Sequence, residues 1–106
     1  MPQKRNENPK TKDALAATLE ERGKRYGAFA DHSVIAQQLK NRMRIAPGWA
    51  RLDLDMMESL DMIQHKVARI LNGDPTHIDS WIDIAGYAKL VADRLAAKAR
   101  RRVFPL

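Results

Sequence analysis

The sequence predicts an all-α protein, a four-helix bundle. Three observations carry that expectation. Between Asp53 and Asn72, the residues Met56, Leu60, Ile63, Val67 and Ile70 recur at intervals of 4, 3, 4 and 3, the period of one helical face. Helix breakers at Gly27, at Pro47-Gly48 and at Asn72-Gly73-Asp74-Pro75 cut the chain into four segments of helix length. Hydrophobic residues make up 44% of the chain but aromatics only 6%, so Ala, Leu, Ile and Met must fill the core. A chain of 106 residues makes one domain. Oligomerisation would help so short a chain bury enough surface.

Residues 1–10 are polar, carry Pro2 and Pro9 and show no periodicity, which reads as a flexible basic arm. The helical nucleotide-binding domain is then 11–98, and 99–106 form a basic tail. Helix one is expected from about Lys12 to Arg25, with Thr11 as N-cap and Leu15 and Leu19 on one face. Ala14, Ala16 and Ala17 favour it by propensity. It runs into Arg22-Gly23-Lys24-Arg25-Tyr26-Gly27, where Gly27 ends the helix. Two readings of this segment stand. Arg22, Lys24, Arg25 and Tyr26 form a grip for a phosphate and a base, or they are a solvated helix end whose cations complement the macrodipole.

Helix two is expected from Ser33 to Ile45, capped by Asp31 or Ser33, with Ile35, Leu39 and Met43 facing the core. His32 reads as a surface or capping residue at its start. Trp49, just after Pro47-Gly48, plugs the end of the bundle or lines a ligand rim. Helix three spans 53–72. Beside its apolar stripe runs a polar one, Glu58, Asp61, His65 and Arg69. Gly73 is expected to end it in the left-handed conformation. Thr76-x-x-Asp79 resembles a capping box that opens helix four.

Helix four is expected from His77 to the region of Arg100. Ile78, Ile82, Ala85 and Ala92 are assigned to the core, with Trp81, Ile84, Leu90, Val91 and Leu95 widening the apolar surface. That much apolar surface on one helix implies a subunit interface, hence an oligomer through helices three and four. Gly86 interrupts the helix at a cost of about 1 kcal/mol relative to Ala. Close helix approach would explain it, and so would space for a ligand beside Asp83 and Tyr87.

The net charge of +6 is unevenly placed. Residues 1–12 carry +3, residues 94–106 carry +5, and the body between them carries −2. Nucleic-acid binding would therefore rest on the tails. There are no cysteines, which excludes disulfides and thiolate metal sites. No apolar run reaches membrane-spanning length and the N-terminus is polar, so the expected location is the cytoplasm and no membrane partner is expected. Walker A, Gly-x-Ser-x-Gly and His-Glu-x-x-His motifs are missing, leaving no case for a Ser or Cys nucleophile.

An antiparallel hairpin of helices three and four would bring Glu58 and Asp61 opposite Asp79 and Asp83. Four converging carboxylates would hold a hard cation, and Mg²⁺ joins such carboxylates to phosphates. The alternative is a solvated acidic face with Asp79 as a cap. Lys66 and Arg69 are close enough on their helix to reach phosphate oxygens together. His65 stands as ligand, base or hydrogen-bonded histidine.

The segments RGKRYGAFADHSVIAQQLK, Trp49, MIQHKVARILNGDP and DSWIDIAGYAKL resemble a family of small phage and prophage proteins of unknown function, over roughly residues 18–92. More distantly, the pattern is similar to the MazG-like all-α nucleoside triphosphate pyrophosphatases. That similarity implies an oligomeric bundle that binds Mg²⁺ through Glu-x-x-Glu and Glu-x-x-Asp pairs and cleaves between the α- and β-phosphates. Glu58 and Asp61 match the first pair, with Asp in place of Glu. Asp83 matches the last acid, but Ser80 stands where the other Glu belongs, with Asp79 adjacent.

Three functions follow as expectations. The first is a Mg²⁺-dependent nucleotide pyrophosphohydrolase in the bacterial host, with Glu58, Asp61 and Asp83 catalytic and Asp79 a further metal ligand. Lys66 and Arg69 would stabilise the leaving pyrophosphate, Tyr26 or Trp49 would stack on the base, and His65 and Tyr87 would complete the substrate site. The second is a non-catalytic phage protein that sequesters a nucleotide signal of host immunity, using Arg22, Lys24, Arg25, Lys66 and Arg69. The third is nucleic-acid binding by the tails, with steep salt dependence.

Overall fold

Every regular element is helical in the computed structural model, which describes residues 9–103 in backbone and 12–101 in side chain. In chain order these are α1 (Pro9–Tyr26), α2 (Phe29–Arg44), a 3-10 turn (Trp49–Arg51), α3 (Leu54–Asn72) and α4 (Ile78–Val103). The basic arm up to residue 8 and the last three residues, 104–106, lie outside the described residues. None of these helices is long and apolar enough to cross a membrane.

Each break has a local cause. Gly27 has φ +75°, a conformation that costs a residue with a Cβ, and its N–H donates to the Gly23 carbonyl at 2.8 Å to close α1. Two helices start earlier than expected. The α1 helix begins at Pro9, ahead of Thr11, since proline suits a first helical turn. The α2 helix begins at Phe29, which puts Asp31, His32 and Ser33 inside it. Ser33 does not cap: its hydroxyl donates back to the Phe29 carbonyl at 2.8 Å.

The turn before α4 also differs from expectation. Gly73 is not left-handed (φ −138°, ψ −138°). The Thr76–Asp79 capping box does not form, because the Thr76 hydroxyl donates to Asp74 at 2.6 Å. Asp74 makes the turn instead, accepting also from the Thr76 N–H at 2.9 Å. These two bonds hold the Asp74 carboxyl below its ordinary pKa.

The α3 helix is the hub. It packs along α4 and α2 and meets the end of α1, whereas α2 and α4 scarcely touch. The α3–α4 pair is antiparallel, since Lys66 lies opposite Asp83, Ser59 opposite Tyr87 and Asp55 opposite Arg94. At its far end, Arg94 clamps Asp53 at 2.8 Å and both oxygens of Asp55. That clamp keeps the Asp55 carboxyl below its usual range.

The buried side chains are small or polar: Ala36, Ala68, His32, Ser59 and Ser80. Small residues let helices approach closely but bury little apolar area. The expected apolar stripe of α3 is half-buried along its length. On α4 the expected register is wrong. Ile78, Ile82, Ala85 and Ala92 are exposed, and the inward face is Ser80, Ile84, Tyr87, Val91 and Arg94. Two polar side chains and a tyrosine mark this face, so apolar counting selects the opposite one. The radius of gyration is 19.6 Å, against about 13 Å for a compact chain of this length. The bundle is open along α4, and α1 projects from it with Leu15 and Leu19 each 59% exposed.

Candidate functional site

Two sequence stretches far apart in the chain interlock at one end of α3. The Asn72 amide donates to the carbonyls of Tyr26 at 2.8 Å and Ala28 at 3.0 Å. The Asp74 N–H donates to the Arg25 carbonyl at 2.6 Å. Both glycines at this joint are required by contact. A Cβ on Gly73 would overlap the Arg25 carbonyl and the Tyr26 Cα, and one on Gly27 would overlap Asn72. The α1–α2 turn and the α3–α4 turn are thus one unit.

That unit fixes Tyr26 in space. The Arg69 guanidinium lies 4.3 Å from the centre of the Tyr26 ring, a cation–π contact. His77 meets the ring edge-on at 5.8 Å. Beside them opens a cleft of about 390 Å³, lined by Leu19, Arg22, Tyr26, Phe29, His32 and Arg69 among others. Among the described residues no carboxylate pairs with Arg22 or Arg69, although Arg25, Lys24 and Arg44 each have one. Phe29 stacks on His32 at 6.0 Å and is 79% exposed, presenting a free ring face at the rim.

Behind the cleft lies a pair of histidines. His32 is buried, not a surface or capping residue, and its Nδ1 has no hydrogen-bond partner. His65 contacts it edge-on at 4.6 Å. Burial first, then the charges of Arg69, His32, Lys40 and Lys66, push His65 down to about 4. Burial, Arg69 and Lys40 lower His32 as well. Both rings are neutral at pH 7, so the charge at the cleft comes from the two arginines. Guanidinium groups free of carboxylates bind phosphate with fixed geometry, and the aromatic faces accept a planar base.

The carboxylates expected to hold Mg²⁺ are dispersed. Asp83 pairs with the nearly buried Lys66 ammonium at 3.0 Å, and Asp61 with Arg44 at 3.5 Å. Asp79 lies 3.4 Å from His77 Nε2, in a geometry that leaves this nitrogen without a hydrogen bond. Glu58 is exposed. Among the described residues no three His, Asp or Glu side chains group to hold a metal. The hairpin register is the reason. With Lys66 opposite Asp83 and Ser59 opposite Tyr87, Glu58 and Asp61 stand a helical turn or more from Asp83 and farther from Asp79. The donor set of one chain does not fit the metal.

The expected binding residues divide. Arg22, Tyr26 and Arg69 meet at the cleft, with His65 behind. Lys24 and Arg25 turn away into pairs with Glu20 and Glu21. Trp49 is half-buried in the 3-10 turn, apart from the cleft, and Tyr87 lies on the inner face of α4. Phe29, His32 and Asn72 were not anticipated. Gly27 followed by two small residues and an aromatic was the available signal for a helix restart at Phe29, which turns His32 inward.

A family described as a domain of unknown function (DUF6378) matches residues 11–95. The chain belongs to that family, in agreement with the resemblance of its RGKRYG and HKVARILNGDP segments to a family of unknown function. Compared with curated proteins and with solved structures, the chain matches none.

Proposed function

We propose that this protein binds the phosphate of a nucleotide in the cleft between Arg22 and Arg69 and holds it without hydrolysis. The observation that carries the reading is two guanidinium groups, free of carboxylates among the described residues, beside the faces of Tyr26 and Phe29. A structural role would pair such arginines with acids, as Arg94 is paired. Sequestration of a nucleotide signal by a phage-type protein in the bacterial cytoplasm suits a cleft with no grouped metal donors.

The MazG-like, Mg²⁺-dependent pyrophosphohydrolase is the second reading. One observation favours it: Asp61 Oδ1 is buried without a partner, as a carboxylate awaiting a cation would be. Its remaining donors would have to come from another copy, in an oligomer built on α3 and α4. Nucleic-acid binding keeps only the basic end of α4, Lys98, Arg100 and Arg101, among the described residues.

One experiment separates the first two. The protein is incubated with Mg²⁺, nucleoside triphosphates and cyclic nucleotides, then washed, denatured and chromatographed. Retention of an intact nucleotide, lost at least ~10-fold in Arg69→Ala and Arg22→Ala but kept in Asp83→Ala, is the expected result. Release of monophosphate and pyrophosphate, abolished by Asp61→Asn, would establish the hydrolase instead. Neither outcome for any nucleotide would sink both readings.

A further inference from the structure

The outer face of α4 is bare. Ile78, Ile82 and Leu90 are 64%, 56% and 67% exposed, and they follow one ridge whose fourth member is Gly86. A shallow groove of about 580 Å³ runs over Ile82, Gly86 and Leu90 and is lined by α4 residues alone, so nothing in the chain covers it. Gly86 is in the middle of a 26-residue helix, and a Cβ built there meets nothing within 4 Å. Within one chain, therefore, nothing requires glycine at this position, although glycine disfavours a helix interior. The two glycines of the joint are different, because the chain itself crowds them.

We infer that a second copy of this chain crosses α4 antiparallel at Gly86, with a two-fold axis through that residue. A residue at the axis must be small for two helices to approach closely, which accounts for Gly86. The same axis sets Ile82 against Leu90 of the second copy. It also sets Asp83 against Lys89 of the second copy, so opposite charges flank the apolar contact on both sides. The ridge is thus complementary to itself, in shape and in charge, when reversed about Gly86. That points to a second copy over an unrelated partner. Need points the same way: the described core contains no large, fully buried side chain, and the chain is extended to 68 Å along its longest axis. This inference sharpens the oligomer on α3 and α4 to one face and one axis, and it is independent of nucleotide binding.

The absence of cysteine makes the test clean. Sedimentation velocity of the full chain is expected to give twice the 12.1 kDa mass at micromolar concentration. Gly86→Leu, which has open space in the single chain, is expected to retain helical circular dichroism and to sediment as a monomer. Gly86→Cys is expected to oxidise to a disulfide-linked dimer at least ~10-fold faster than Ala97→Cys, because an axis at this position brings the two sulfurs within bonding reach. If Gly86→Leu does not fold, the cysteine comparison decides. A monomeric wild type would overturn both the oligomer and the axis. An oligomeric wild type in which Gly86→Cys oxidises no faster than Ala97→Cys would overturn the axis alone.

Discussion

The two ends of the α3–α4 hairpin solve packing in opposite ways. At the turn, contact is dense and polar: Asn72 bridges two carbonyls, Asp74 bonds to Arg25, and two glycines sit where no side chain fits. Along the outer face of α4, Ile78, Ile82, Gly86 and Leu90 touch nothing in the chain. Glycine is the diagnostic residue in both places, and its meaning reverses. At Gly27 and Gly73 the chain itself excludes a Cβ. At Gly86 the single chain has room for one, so the reason for glycine must come from outside it. A turn end built this rigidly positions a site, while an apolar helix face left bare positions a partner.

Substitutions at the turn should have the largest effects. Gly73→Ala forces a Cβ into the backbone of Arg25 and Tyr26, and a loss of about 3 kcal/mol is expected in denaturant unfolding. Wild-type stability in that variant would mean the two turns are not locked together. Asn72→Ala removes both bonds to the α1–α2 turn, for an expected loss of about 2 kcal/mol. Nucleotide retention should fall with it, because Tyr26 is no longer held against Arg69. Asn72→Asp discriminates further, since it keeps the shape but replaces a donor with an acceptor facing carbonyls. It should be no better than alanine.

At the other extreme, Gly86→Ala should stabilise the isolated chain by about 1 kcal/mol, the helix-propensity difference. Measured by unfolding at dilutions where the chain is a monomer, a loss of stability would show that α4 is crowded from within after all. The same change thus has opposite signs at Gly73 and Gly86.

The smallest expected effect is a pH dependence. His65 is held near 4 in the folded chain and titrates near 6.5 when unfolded. The unfolded chain therefore binds the extra proton first, so stability is full above pH 6.5 and declines as pH falls from 6.5 toward 4. Thermal melts in that window should show the decline, and His65→Gln should flatten it. An unchanged slope in the variant would assign the dependence to other groups.

Much of the fold was legible because helices announce themselves locally. The stripe from Met56 to Ile70, the breakers and the aliphatic composition are properties of neighbouring residues, and they placed four helices with α3 at the correct length. Arg22, Tyr26 and Arg69 were legible as a phosphate grip because cation and aromatic chemistry is written in residue types.

Register was decided only by tertiary structure. The sequence could not show that α4 turns Ser80, Ile84 and Tyr87 inward rather than Ile78 and Ile82, because close packing on Ser59 and Ala68 favours small residues over greasy ones. Nor could it show that Asp83 meets Lys66 instead of Asp61, since a slide of one turn along the hairpin separates acids that a helical wheel puts together. Local propensity is fixed by the chain, but which side chains meet depends on how two helices slide and rotate against each other.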